Sequence, residues 1–251
     1  MILNEELAHT RGFIQYLDPR VKLFSCVLFI VIVGLARSFW ILAAIMVLIT
    51  VIVCLSRISP GFFIKRVLLF LPFTAIVTLP ALFITPGEPW WHIGSRVIIT
   101  LQGVQTTGFL LLRVMESISL GIIIILTTPW NGVLAGLRWF RLPTIIIDIL
   151  GMTYRYIFLL LHTANSMFFA RRSRALGTFS GAENRRWLAH NLGCTMVKSQ
   201  YLSEEIYLAM IARGYHGEIY TINRLQFRNR DYFSTGITIL IAFVLIWSIY
   251  R

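Results

Sequence analysis

The sequence predicts an all-α integral membrane protein, with about five transmembrane helices plus long amphipathic helices on the cytoplasmic side. Three observations carry this expectation. Hydrophobic residues make up 57% of the 251, and the mean hydropathy is +0.75. Only 14% of the residues are charged, against roughly 25% in soluble domains. Apolar runs of membrane-spanning length alternate with breaker-rich loops, and the basic residues of those loops gather on one side.

The first apolar run covers residues 23–55 and is broken only at Arg37-Ser38. As one helix it would be about 50 Å long, too long for a hydrocarbon core of about 30 Å. Two helices turning at "ARSFW" fit better, with a re-entrant hairpin as the alternative because each helix is short. The next span is residues 67–84, closed by "TPGEPWWHIG". Pro86, Gly87 and Pro89 break the helix there, and Trp90 and Trp91 suit the membrane interface. A fourth span, residues 107–128, stops at "TTPW" and contains Arg113 and Glu116, placed to neutralise each other at i, i+3. The last span is residues 232–250. The chain thus divides into N-terminal spans (1–130), a cytoplasmic region (131–230) and a C-terminal span (231–251). Glu5, Glu6 and Asp18 stand where a signal peptide needs a basic segment, so the N-terminus is expected to stay in the mature protein.

With the N-terminus inside and five spans, nineteen of the 23 Lys and Arg residues fall on the inner side and three outside. The positive-inside rule then accounts for the net charge of +12 through cytoplasmic loops and anionic headgroups rather than nucleic acid. The expected location is the cell (inner) membrane, multi-pass, with the N-terminus and the long helices cytoplasmic.

Residues 131–230 are cytoplasmic in this arrangement, yet they are not hydrophilic. Residues 144–164 are apolar enough to pass as a sixth span, but Asp148, Arg155 and His162 are costly in hydrocarbon. They recur every seven residues, which suits a polar face toward headgroups or a packed ion pair, with a proton relay as the less favoured alternative. Farther on, Leu188, Leu192, Met196, Leu202, Ile206 and Met210 keep four-residue spacing, the mark of an amphipathic helix.

No nucleotide-binding loop, nucleophile elbow or metalloprotease motif is present, and no enzymatic activity is expected. His9, His92, His162, His190 and His216 show no His-x-x-x-His pair and no neighbouring cysteine or carboxylate cluster, so no metal site is expected. Cys26, Cys54 and Cys194 form neither a disulfide framework nor a zinc spacing and read as buried thiols. A membrane enzyme of lipid or isoprenoid metabolism would need clustered carboxylates. A self-sufficient channel would need a polar path richer than Arg113, Glu116 and the threonines of the fourth span.

Two helix ends stand out. In "AMIARGYHGE", Ala212 and Arg213 close a helix and Gly214 follows, suited to a left-handed cap. In "ARRSRALG", Ala170, Arg171, Arg172 and Arg174 crowd the other end before Gly177. Helices of about 30 residues are roughly 45 Å long, enough to hold the two tips apart for two separate partners. Arginine suits such docking because its fork grips carboxylates and keeps its charge when desolvated.

Five stretches, "YLDPRVKL", "LTTPW", "LGMTYRYIFLLL", "ARRSRALG" and "LSEEIYLAMIARGYHGE", together resemble the transmembrane coupling subunit (T component) of energy-coupling factor (ECF) transporters. The resemblance is strongest to the CbiQ/NikQ branch of cobalt and nickel importers. It implies that two arginine motifs end the coupling helices, each docking in a groove of one ATPase subunit of a homodimer. The second motif maps onto Ala212, Arg213 and Gly214. The first departs from Ala-Arg-Gly, so Arg171, Arg172 and Arg174 are all candidate anchors, Arg174 preferred. The resemblance also implies no cofactor in this chain: ATP and Mg belong to the ATPases, and cobalt or nickel to a separate substrate-binding membrane subunit.

Overall fold

The structure, a computed structural model, describes residues 17–56, 59–93, 97–174, 180–217 and 229–250, apart from the side chains of 89–99 and 250. The expectations for the N-terminal segment, the Trp90-Trp91 side chains and Gly177 lie outside the described residues. Helices α1 (Pro19–Leu35), α2 (Phe39–Leu55) and α3 (Pro60–Ile84) come first. A hairpin of β1 (Pro89–Ile93) and β2 (Val97–Thr100) leads into α4 (Leu101–Thr127). Then follow α5 (Trp130–Trp139), α6 (Thr144–Arg174), α7 (Gly181–Ala212) and α8 (Asn229–Tyr250). The chain forms two compact units, residues 1–136 with 225–251, and residues 137–224.

In the first unit α4 packs against α1, α2 and α3, and α1 also meets α8. The core takes Phe29, Ile32 and Val33 from α1, Ile41, Leu42, Ile45 and Ile49 from α2, and Leu120, Ile123 and Leu126 from α4. These positions recur at three and four residues, so each helix turns one stripe inward. The opposite faces stay apolar as well: Leu69, Phe73 and Ile76 of α3 are exposed. Apolar residues on both faces are what a helix with lipid on its outer side requires.

The run 23–55 does fold as two helices, as expected, because Ala36, Arg37 and Ser38 leave the helical conformation and the Ser38 side chain caps α2 by accepting from the Trp40 amide. Each is 17 residues long, about 25 Å, short of the hydrocarbon thickness. Among the described residues, four helices are long and apolar enough to cross a membrane: α3, α4, α6 and α8. Three of these match expected spans. The fourth, α6, contains the segment that its charges argue against.

The breaker segment does end α3 at Ile84, as expected, but from Pro89 it continues as a strand paired antiparallel with β2, with a bulge between Pro89 and Trp91. Beside it α3 and α4 approach closely. A Cβ on Gly103 would lie 2.6 Å from the Leu82 carbonyl oxygen, so only glycine fits. Thr100 caps α4 by accepting from the Gly103 amide at 3.0 Å, and its hydroxyl donates to the Thr85 carbonyl at 2.9 Å.

The second unit is a pair of long helices, α6 of 31 residues and α7 of 32. The C-terminal end of α6 meets the N-terminal end of α7, where the Phe168 and Trp187 rings stack edge-on at 4.6 Å. Ser180 and Glu183 form a reciprocal capping box that starts α7. The apolar spacing of α7 is only half realised. Leu202, Ile206 and Met210 are half-buried, but Leu192 and Met196 are exposed. The covered stripe there is Trp187, Asn191 and Thr195, one residue off, because α6 approaches along that line.

Candidate functional site

The C-terminal end of α7 is a complete Schellman cap. Gly214 adopts φ +81°, the left-handed conformation its place after Arg213 predicts. Its amide donates to the Ile211 carbonyl at 2.9 Å, and the Tyr215 amide donates to Met210 at 3.0 Å. Gly217 also has positive φ, at +98°, so the chain turns again three residues on. These bonds satisfy helix-end carbonyls through the backbone. The Arg213 side chain is therefore not needed for capping, and Ala212, Arg213 and Gly214 are all exposed.

The C-terminal end of α6 is built differently. Ala170, Arg172 and Arg174 are exposed, whereas Arg171 is half-buried. The Arg171 guanidinium lies 4.5 Å from the Trp187 ring centre and donates to the Asn184 side-chain oxygen at 2.8 Å. Arg171 thus braces the α6–α7 corner, which leaves Arg172 and Arg174 as the outward pair. Because Arg171 is bonded to Asn184, the Arg213 tip stands 29 residues along α7 from that corner, about 43 Å at helical rise.

Among the seven-residue charged stripe of α6, only Asp148 is buried, and it pairs with Arg138 at 3.0 Å. Arg155 and His162 are exposed. The expected neutralisation of Arg113 by Glu116 does not form. The Arg113 guanidinium instead donates to the Ala36 carbonyl at the C-terminal end of α1 and lies 4.9 Å over the Phe109 ring. The exposed carbonyls and negative dipole end of a helix compete well for a guanidinium. Glu116 is left buried, with no hydrogen-bond partner among the described residues.

Sequence reasoning missed a second polar junction. Asp18 caps α1, accepting from the Arg20 amide at 2.9 Å, while its own amide donates to the Asp231 carboxylate at 2.9 Å. Lys22 donates to the Thr127 carbonyl at 3.1 Å, and both Asp18 and Asp231 act on it electrostatically. Two quoted stretches, "YLDPRVKL" and "LTTPW", therefore meet in space together with the start of α8. Only Asp-Pro before an apolar run with an embedded lysine hinted at this.

The thiols also depart from expectation: Cys26 is buried, but Cys54 is exposed and Cys194 is half-exposed. Among the described residues no three His, Cys, Asp or Glu side chains converge. His190 nevertheless has a cysteine neighbour, since Cys194 follows one helical turn later and lies 3.5 Å from its ring.

The outward apolar faces and the four membrane-length helices among the described residues define a multi-pass α-helical membrane protein. The CbiQ family model, described as cobalt transport protein, matches residues 11–222, and the chain belongs to that family. An uncharacterized protein of Methanocaldococcus jannaschii is 30% identical over 98% of this chain and 86% of its own length. The energy-coupling factor transporter transmembrane protein EcfT of Lacticaseibacillus paracasei is 28% identical, over 90% of each chain. The cobalt transport protein CbiQ of Rhodobacter capsulatus is 29% identical over 58% of this chain and 60% of its own. These relatives agree with the resemblance to the T component that the five stretches carry.

Proposed function

We propose that this chain is the membrane scaffold of an ECF-type ABC importer, coupling ATP hydrolysis by an ATPase dimer to cobalt uptake through a separate substrate-binding membrane subunit. The observation that carries the reading is a pair of exposed arginine-bearing helix ends about 43 Å apart on one helical hairpin. Arg213 is fixed by a backbone cap and serves as one plug. Arg174, beside Arg172, serves as the other, with Arg171 holding the corner between the two helices. Each plug enters one ATPase subunit, where acidic or backbone acceptors receive the guanidinium.

The exposed apolar side chains of α7, Leu192, Met196 and Leu208 among them, suit contact with the apolar substrate-binding subunit. In this arrangement α6 and α7 lie at the cytoplasmic surface, since a spanning α6 would set Arg155 and His162 against lipid. The family description favours cobalt over nickel, and the partner sets the selectivity. The chain itself performs no catalysis.

The test is Arg213→Glu. The variant should stay folded in the membrane, co-purify with less of the ATPase subunits and lose metal uptake. Undiminished ATPase recovery and uptake would overturn the proposal.

A further inference from the structure

His190 and Cys194 sit roughly a third of the way round α7 from the stripe that meets α6, one turn apart on an accessible face. Cys194 Sγ and His190 Nε2 are 3.5 Å apart. A divalent ion held tetrahedrally by one thiolate at about 2.3 Å and one imidazole at about 2.0–2.1 Å sets its two donors about 3.5 Å apart. The pair is therefore spaced for a shared cation without any backbone movement. The surrounding depression is bordered by Ala189, Gly193 and Val197, and the space beside Gly193 is open. That leaves room for waters to complete the coordination.

We propose that His190 and Cys194 form a two-residue site for a borderline divalent transition cation of the zinc, cobalt and nickel class. Thiolate and imidazole are the donors such ions prefer. On binding, the Cys194 S–H proton leaves to solvent and its sulfur donates an electron pair to the metal. Neutral His190 donates through Nε2 and keeps its Nδ1 proton. One proton is released per cation, with no change of oxidation state. Lys198, on the same face, opposes the cation's charge and limits affinity. The site does not depend on the coupling role proposed above.

The test uses the purified full chain in detergent, without partner subunits, titrated with cobalt(II) chloride. Binding should give one equivalent of cobalt with a thiolate-to-cobalt charge-transfer absorption that zinc displaces. Cys194→Ser and His190→Ala should each remove that absorption, whereas Cys54→Ser should retain it. Adding Lys198→His to the His190→Ala variant should restore it, by rebuilding the same one-turn pair on the other side of Cys194. Absence of the absorption in the native chain, or its survival in Cys194→Ser or His190→Ala, would overturn the proposal.

Discussion

Lys22 illustrates how much one buried side chain can hold. It lies where the first turn of α1, the end of α4 and the start of α8 converge, donating to the Thr127 carbonyl with Asp18 and Asp231 close by. Removing one partner from a buried ionic junction typically costs about 3 kcal/mol or more, because the remaining charges lose their compensation. Lys22→Met should therefore lower the stability of the detergent-solubilised protein by about that amount in a denaturant titration. Glu116 presents the opposite case. Its buried carboxylate has no hydrogen-bond partner among the described residues, so Glu116→Gln should leave stability unchanged or raise it in the same titration. Neither outcome follows from the residue types alone. An intramembrane Arg–Glu pair at i, i+3 looks self-neutralising until the Ala36 carbonyl is seen to compete for the arginine.

The helices carry their own predictions. At the start of α7 the Ser180 amide donates to the Glu183 carboxylate at 3.0 Å, and the Ser180 hydroxyl accepts from the Glu183 amide at 3.3 Å. The backbone hydrogen bond from Ser180, supported by the serine side chain and by Arg171, lowers the Glu183 pKa below the ordinary carboxylate value. The stabilisation is then fully present above the unfolded carboxylate value of about 4.3 and is lost as pH falls through the lower folded value. Amide exchange in the first turn of α7 should accelerate over that acid range, and Glu183→Gln should remove the dependence. The sequence signal for this box is "SGAE", a serine three residues before a glutamate, which sequence reasoning missed. For α6 the issue is depth. Leu159 is exposed and stands at the middle of the helix, near Arg155 and His162 on the same side. With α6 at the membrane surface, Leu159→Cys should react with an impermeant maleimide from the cytoplasmic side. An unreactive thiol would place α6 across the bilayer.

For the molecule as a whole, the two arginine-bearing ends should act as separate contacts. Arg174→Glu and Arg213→Glu should each reduce ATPase co-purification, and the double variant should abolish it, since sites this far apart contribute independently. Equal recovery in single and double variants would mean that one end alone binds. The sequence already contained the apolar runs, the gathering of positive charge on one side of the expected spans, the break at "ARSFW" and the glycine after Arg213. These depend on hydropathy, charge and capping within a few neighbouring residues, so they can be read locally. It did not contain the partner of Lys22, the preference of Arg113 for the Ala36 carbonyl, the one-residue shift of the covered stripe on α7, or the brace of Arg171 against Trp187. Each of these joins residues on different helices. Which side chains meet there is decided by how whole helices pack, and local periodicity leaves that choice open.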